Sequence, residues 1–255
     1  MPDDTTHAES DQPAPAPEEL RSGFHSQLTD IQSGIARLCA GVTELVPRAT
    51  NVLLDMDLES AEYVILGDAE YDHKSLQLEE LCFKVIALQA PVASDLRGLV
   101  SAIKILADVE RSADLCVNIC KAARRIYGHE LDPNLRGVIQ KIGAQAMVLF
   151  KEATEAYLNL DANRAAALHD MDAYLDDLHR QFIQTIFESH AADNIDLQVA
   201  VQLAVVARFF ERIGDHAVNI GDRTRYIVNG WVPEHPYAES DNDPPQTPLA
   251  SSGNS

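Results

Sequence analysis

The chain has 255 residues, a formal net charge of −20 and 46% hydrophobic residues, a make-up that suits a globular protein with one large or two modest cores. So acidic a surface repels phosphate backbones and argues against nucleic-acid binding. No apolar run of about 18 residues is present to span a membrane, so no direct membrane insertion is expected.

The two ends stand apart from the rest. Residues 1–19 and 232–255 are rich in Pro, Asp and Glu and hold no Lys or Arg, so they read as disordered acidic tails that lack the apolar surface to fold. The N-terminus has no apolar segment behind it, and no secretory signal is expected. Cys39, Cys82, Cys116 and Cys120 form no C-x-x-C pair and fall inside apolar helical patterns. They read as buried, reduced thiols of a cytoplasmic protein.

Between the tails the apolar residues recur in steps of three and four, and alternation by two is not sustained. Phe24, Leu28, Ile31, Ile35, Leu38, Val42 and Leu45 predict a first helix, with Pro47 expected to kink it near its end. A second is predicted over about residues 59–89, with Leu76, Phe83, Ile86 and Leu88 as apolar anchors and Pro91 as its stop. A third is predicted over 94–127 and ends at Gly128. Asp132-Pro133, an N-cap followed by Pro at the first helical position, opens a fourth over 133–160. A fifth is expected over 163–190 and a sixth over 194–230. Six helices with short connections predict an all-α fold of two tandem antiparallel three-helix bundles, residues 20–128 and 129–231.

The two units repeat each other. A shift of 101 places Asp95-Leu96 on Asp196-Leu197, Glu110-Arg111 on Glu211-Arg212, Asp114 on Asp215 and Val117-Asn118-Ile119 on Val218-Asn219-Ile220. Polar residues match as well as apolar ones, which amphipathic periodicity alone does not produce. A shift of 104 places Asp68 and Asp72 on Asp172 and Asp176.

The matched acids lie four apart and so on one helix face. Like charges at this spacing destabilise a helix by roughly 0.2–0.5 kcal/mol unless a partner compensates. Oxygen donors without cysteine suit hard cations such as Mg²⁺, Mn²⁺ or Ca²⁺, and also iron, provided the acidic faces of the second and third helices meet. The competing reading is a solvated face neutralised by Arg111, Arg212 and other basic residues. His169, His179 and His216 lie near the second set without full repeat twins and read as surface or packing residues. No phosphate-binding glycine loop, nucleophile elbow or H-E-x-x-H is present, so no catalytic residue is assigned.

Glu211-Arg-Ile-Gly-Asp-His-Ala-Val-Asn-Ile220 resembles the sixth-helix signature of the PhoU family. Leu88-Gln-Ala-Pro-Val-Ala-Ser-Asp-Leu-Arg97 and Asp108-Val-Glu-Arg-Ser-Ala-Asp114 are similar to the matching first-half segments, and Leu20-Arg-Ser-Gly-Phe-His-Ser-Gln-Leu28 resembles the start of actinobacterial members. Ser112-Ala113 departs from the family's more usual Ile-Gly. The resemblance implies two three-helix bundles related by pseudo-two-fold symmetry. It implies a cluster of divalent metal or iron (Mg, Mn, Zn or Fe) held by Asp68, Asp72, Glu110 and Asp114, and a second held by Asp172, Asp176, Glu211 and Asp215. It further implies a non-enzymatic, homodimeric adaptor between the ATPase subunit of a phosphate ABC transporter and a phosphate-responsive sensor histidine kinase. Such an adaptor damps phosphate-starvation signalling when phosphate is ample. The alternatives are a carboxylate-bridged, metal-dependent phosphohydrolase and a purely structural helical scaffold.

Overall fold

A computed structural model describes residues 17–230, with side chains from Gly23 onward. The expected tails lie outside these residues, except that the first helix already begins at Pro17. Six helices follow in order: α1 Pro17–Asp55, α2 Leu58–Gln89, α3 Ala93–Arg125, α4 Pro133–Asn159, α5 Ala162–Ala191 and α6 Leu197–Asn229. No strand occurs among the described residues. No helix among them is long and apolar enough to cross a membrane.

Aspartates open four of the helices. The side chains of Asp57, Asp132, Asp161 and Asp196 accept from backbone N–H groups in the first turns of α2, α4, α5 and α6, which satisfies donors that have no partner within the helix. Asp132 also accepts from the Ser189 hydroxyl at 2.6 Å, which ties the start of α4 to the end of α5. Gly230 closes α6 at φ +69°, a left-handed position that favours glycine. α1 runs on through Pro47 to Asp55.

Within each unit all three helices touch one another, and α1 meets α4 while α3 meets α6 across the units. α2 and α5 lie outermost and make no contact with the other unit. α3 and α6 run antiparallel. Arg97 at the start of α3 reaches Gly230, and Arg125 at its end donates to Gln202 at 3.4 Å. Buried residues of all six helices join one hydrophobic core.

The shift of 104 extends to the inner pair. Ile35, Val46, Ala49, Thr50 and Leu53 of α1 are buried, and so are Ile139, Phe150, Ala153, Thr154 and Tyr157 of α4. Thr50 and Thr154 each bond the carbonyl four residues back, of Val46 and Phe150. At the crossing Gly143 packs on Thr50: a Cβ on Gly143 would stand 2.3 Å from the Thr50 hydroxyl oxygen. The twin contact sets the Cys39 thiol against Thr154. The two crossings are the pseudo-two-fold axis read at side-chain level.

The sequence misplaces the face of α2. Leu76, Phe83 and Leu88 are 52%, 53% and 68% exposed. The buried stripe is Ala61, Val64, Ser75, Cys82 and Val85, with Ile86 half-buried. An outer helix packed on only two neighbours buries a narrow row, and here that row carries small residues. The four cysteines are free and buried, as expected.

Candidate metal centre

The acidic faces meet where α2 packs on α3 and α5 packs on α6. In the first unit one carboxylate oxygen from each of Asp68, Asp72 and Asp114 lies within 4.8 Å of the others. Asp68 Oδ1 is buried and has no hydrogen-bond partner. Burial first, then the charges of Asp72 and Asp114, push the Asp68 carboxyl up, against a weaker pull from Lys121. Glu110 stands outside the triad but close to it. Burial and then Asp72 and Asp114 raise its carboxyl, Arg111 opposes, and Glu79 adds to the rise.

The second unit gathers the matching acids. Asp172 Oδ1 is buried without a partner, as its twin Asp68 Oδ1 is. Burial, then Asp176 and Asp215, lift the Asp172 carboxyl to about 6, with His169 opposing. Loss of solvent also raises Asp215, while Arg208, His216 and Arg212 hold it down and Asp176 pushes it up. Glu211 Oε1 accepts from the Arg208 guanidinium, and Glu211 Oε2 is buried and unpartnered. Gly214 gives Asp172 its room, since a Cβ there would stand 2.6 Å from Asp172 Oδ1. The equivalent first-unit residue is Ala113, part of the departure from the family pattern. All eight acids singled out in the sequence thus fall at two helix seams, four at each.

The environments differ beyond the acids. A cavity of about 200 Å³ borders Asp68 and is lined by Gly41, Arg48, Tyr63, Gly67 and Tyr71 among others. At the positions of Gly41 and Gly67 the second unit carries Gln145 and Met171, and Gln145 donates to the Met171 carbonyl at 3.0 Å.

The donor set fits a hard cation. It consists of carboxylate oxygens from two facing helices, some of them buried, with no proton donor supplied to Asp68 Oδ1, Asp172 Oδ1 or Glu211 Oε2. A buried anionic oxygen without a partner costs free energy that a bound cation offsets.

Sequence reasoning missed the polar contact on the axis. Asp108 Oδ1 on α3 accepts from Asn219 Nδ2 at 3.1 Å and lies 2.9 Å from His216 Nδ1 on α6. His216 Nε2 is buried without a partner. The signal was present as a paired break in the repeat, since Asp108 and His216 have Phe209 and Leu115 as twins. His169 lies 3.2 Å from Asp222, so two of the three histidines form side-chain contacts between helices. Arg208 and Glu79 were missed as well.

A PhoU domain is matched twice, over residues 35–123 and 139–224. The chain is 35% identical over 215 residues to "Phosphate-specific transport system accessory protein PhoU homolog 1" of Mycobacterium tuberculosis, covering 84% of this chain and 96% of that protein. It is 34% identical to homolog 2 of the same organism, covering 84% of this chain and all of that protein. The crystal structure of PhoU from Pseudomonas aeruginosa superposes with a TM-score of 0.76 at 27% identity, covering 82% of this chain and all of that one. That from Streptococcus pneumoniae, at 23% identity and a TM-score of 0.75, shares the fold. With the domain matched in both halves and the shared architecture on either side of one axis, the chain belongs to the PhoU family of phosphate-transport accessory proteins.

Proposed function

We propose that this protein is a non-enzymatic regulator of phosphate uptake and phosphate-starvation signalling. It acts as a cytoplasmic, homodimeric adaptor between the ATPase subunit of a phosphate ABC transporter and a sensor histidine kinase, and damps the response when phosphate is ample. The observation that carries this reading is the similarity to phosphate-specific transport accessory proteins over both repeats.

The acids give the adaptor a ligand of its own. Asp68, Asp72, Glu110 and Asp114 would hold divalent cations or iron at the first seam, and Asp172, Asp176, Glu211 and Asp215 at the second. When bound, such ions supply positive charge and rigid oxygen coordination. The chain's part is to aim carboxylates from two helices at one point, so that cation binding and the packing of α2 on α3 and of α5 on α6 reinforce each other.

Deleting the gene should switch on a phosphate-starvation reporter in phosphate-rich medium, and a plasmid copy should silence it again. An unchanged reporter would refute the regulatory role. Elemental analysis of protein purified without chelator tests the ligand: metal should be present and should fall on Glu110→Ala/Glu211→Ala. Equal metal content in both proteins would remove the proposed sites.

A further inference from the structure

We infer that the two acidic sites are not equivalent: the first-repeat site takes a divalent cation directly, whereas the second already contains Arg208 as a built-in counter-charge that an incoming cation must displace. This rests on the metal reading above and assigns Arg208 the role of setting the difference.

The sites match residue for residue in their acids, so the distinction lies in what surrounds them. The shift that pairs Glu110 with Glu211 pairs Ala107 with Arg208. Arg208 stands three residues before Glu211, the spacing at which helix side chains meet. Its guanidinium donates to Glu211 Oε1. Glu211 is only 13% exposed in its side chain, whereas Arg208 is 56% exposed. The pair therefore couples a half-exposed cation to a largely buried acid. The same guanidinium acts on Asp215 and on His179. A divalent ion placed among these acids would face a fixed positive charge and would have to break a charge-assisted hydrogen bond.

The first site has alanine at the position of Arg208. Alanine at 107 offers no charge, and Asp68, Asp72 and Asp114 already converge to within 4.8 Å, an approach that no set of acids in the second repeat makes among the described residues. Three cations lie near the first site. Arg48 lines the cavity beside Asp68, but its guanidinium lies over the Tyr63 ring at 5.5 Å and forms no ion pair with these acids among the described residues. Arg111 approaches Asp114, three residues on, at 4.0 Å, but that acid is 37% exposed where Glu211 is 13%, so the pair is the more screened of the two, and its twin Arg212 acts on Asp215 in the second site. Lys121 acts on Asp68 without forming an ion pair among the described residues. It occupies the position of Asp222 and is seven residues from Asp114 rather than three from a ligand.

The test uses the full chain, stripped with chelator, and Mn²⁺ alone as the probe. Free and bound ion are measured by equilibrium dialysis with elemental analysis. The wild type should show a tighter class lost in Asp72→Asn/Asp114→Asn and a weaker class lost in Asp176→Asn/Asp215→Asn. Arg208→Gln should tighten the weaker class by about tenfold or more, the loss of one adjacent unit charge. It should leave the tighter class unchanged. Arg208→Lys, which keeps the charge, should leave both classes near wild type. Circular dichroism and thermal melts show that each variant is folded. An unchanged weaker class in Arg208→Gln, or a tighter class that maps to the second repeat, overturns the inference. An absence of Mn²⁺ binding to the wild type is a separate failure, seen before any variant is made, and removes the metal reading together with what rests on it.

Discussion

Replacing Asp172 by Asn should stabilise the metal-stripped protein above about pH 6 and leave it unchanged near pH 4. The folded protein holds the Asp172 proton up to about pH 6, against an ordinary 3.8. Between these values the folded state binds a proton that the unfolded chain has released. Stability therefore falls as pH rises through this window, and the loss is complete above it. The gap between 3.8 and about 6, at about 1.4 kcal/mol per pH unit, is about 3 kcal/mol. Asp172 is partly exposed, so solvent screening reduces this to about 1–2 kcal/mol. Asparagine keeps the size and the contact with Gly214 and removes the charge that burial, Asp176 and Asp215 oppose. Urea unfolding in chelator, followed by far-UV circular dichroism from pH 4 to pH 8, measures the difference directly. Equal stability across that range, or a variant weaker than wild type at pH 8, would show that the buried carboxylate costs the fold nothing.

Gly143→Ala should lower stability by about 1–2 kcal/mol despite alanine's better helix propensity. Its Cβ would meet Thr50 Oγ1 at 2.3 Å and Cγ2 at 2.7 Å, on a stiff β-branched side chain. Adding Thr50→Ala should recover most of that loss in urea melts, and simple additivity of the two costs would refute the crossing contact. Asp108→Ala should cost about 1–3 kcal/mol by stranding His216 and Asn219. Asp108→Phe/His216→Leu, which copies the Phe209 and Leu115 of the opposite half, should restore thermal stability; a double variant no better than Asp108→Ala would show that the halves are not interchangeable there. All four thiols should resist a disulfide labelling reagent in buffer and react in urea. Burial pushes Cys82 up to about 11 and Cys39 and Cys120 up to about 12, and raises Cys116 as well. Rapid labelling of the native protein would contradict this.

The helices were legible because their signals are local. Asp132-Pro133 marks a start whatever it packs against, and Asp132 does accept from the N–H groups of Asn134 and Leu135. The acidic sites were legible for a different reason: two copies of the pattern in one chain distinguish retained polar residues from incidental ones. What escaped depends on how helices lie against each other. Leu76 and Phe83 satisfy the period of α2, yet an outer helix buries only a narrow stripe, and its small residues Ala61 and Ser75 fill that stripe. Asp108 meets His216 across 108 residues of chain, a register that no periodicity encodes. Nothing in the sequence marks Arg208, because its importance comes from the low exposure of the acid beside it.

The contacts α1–α4 and α3–α6 have the form of an isologous interface: a patch that meets its own counterpart about a two-fold axis. In a symmetric pair of half-length chains, position 39 and position 143 would be the same residue, facing the same threonine. So would 108 and 209, and 115 and 216. Joining the halves in one chain frees each member of such a pair to change alone. Here cysteine stands opposite glycine, aspartate opposite phenylalanine and leucine opposite histidine. The inner surface of this molecule therefore has a head and a tail, although the architecture around it repeats.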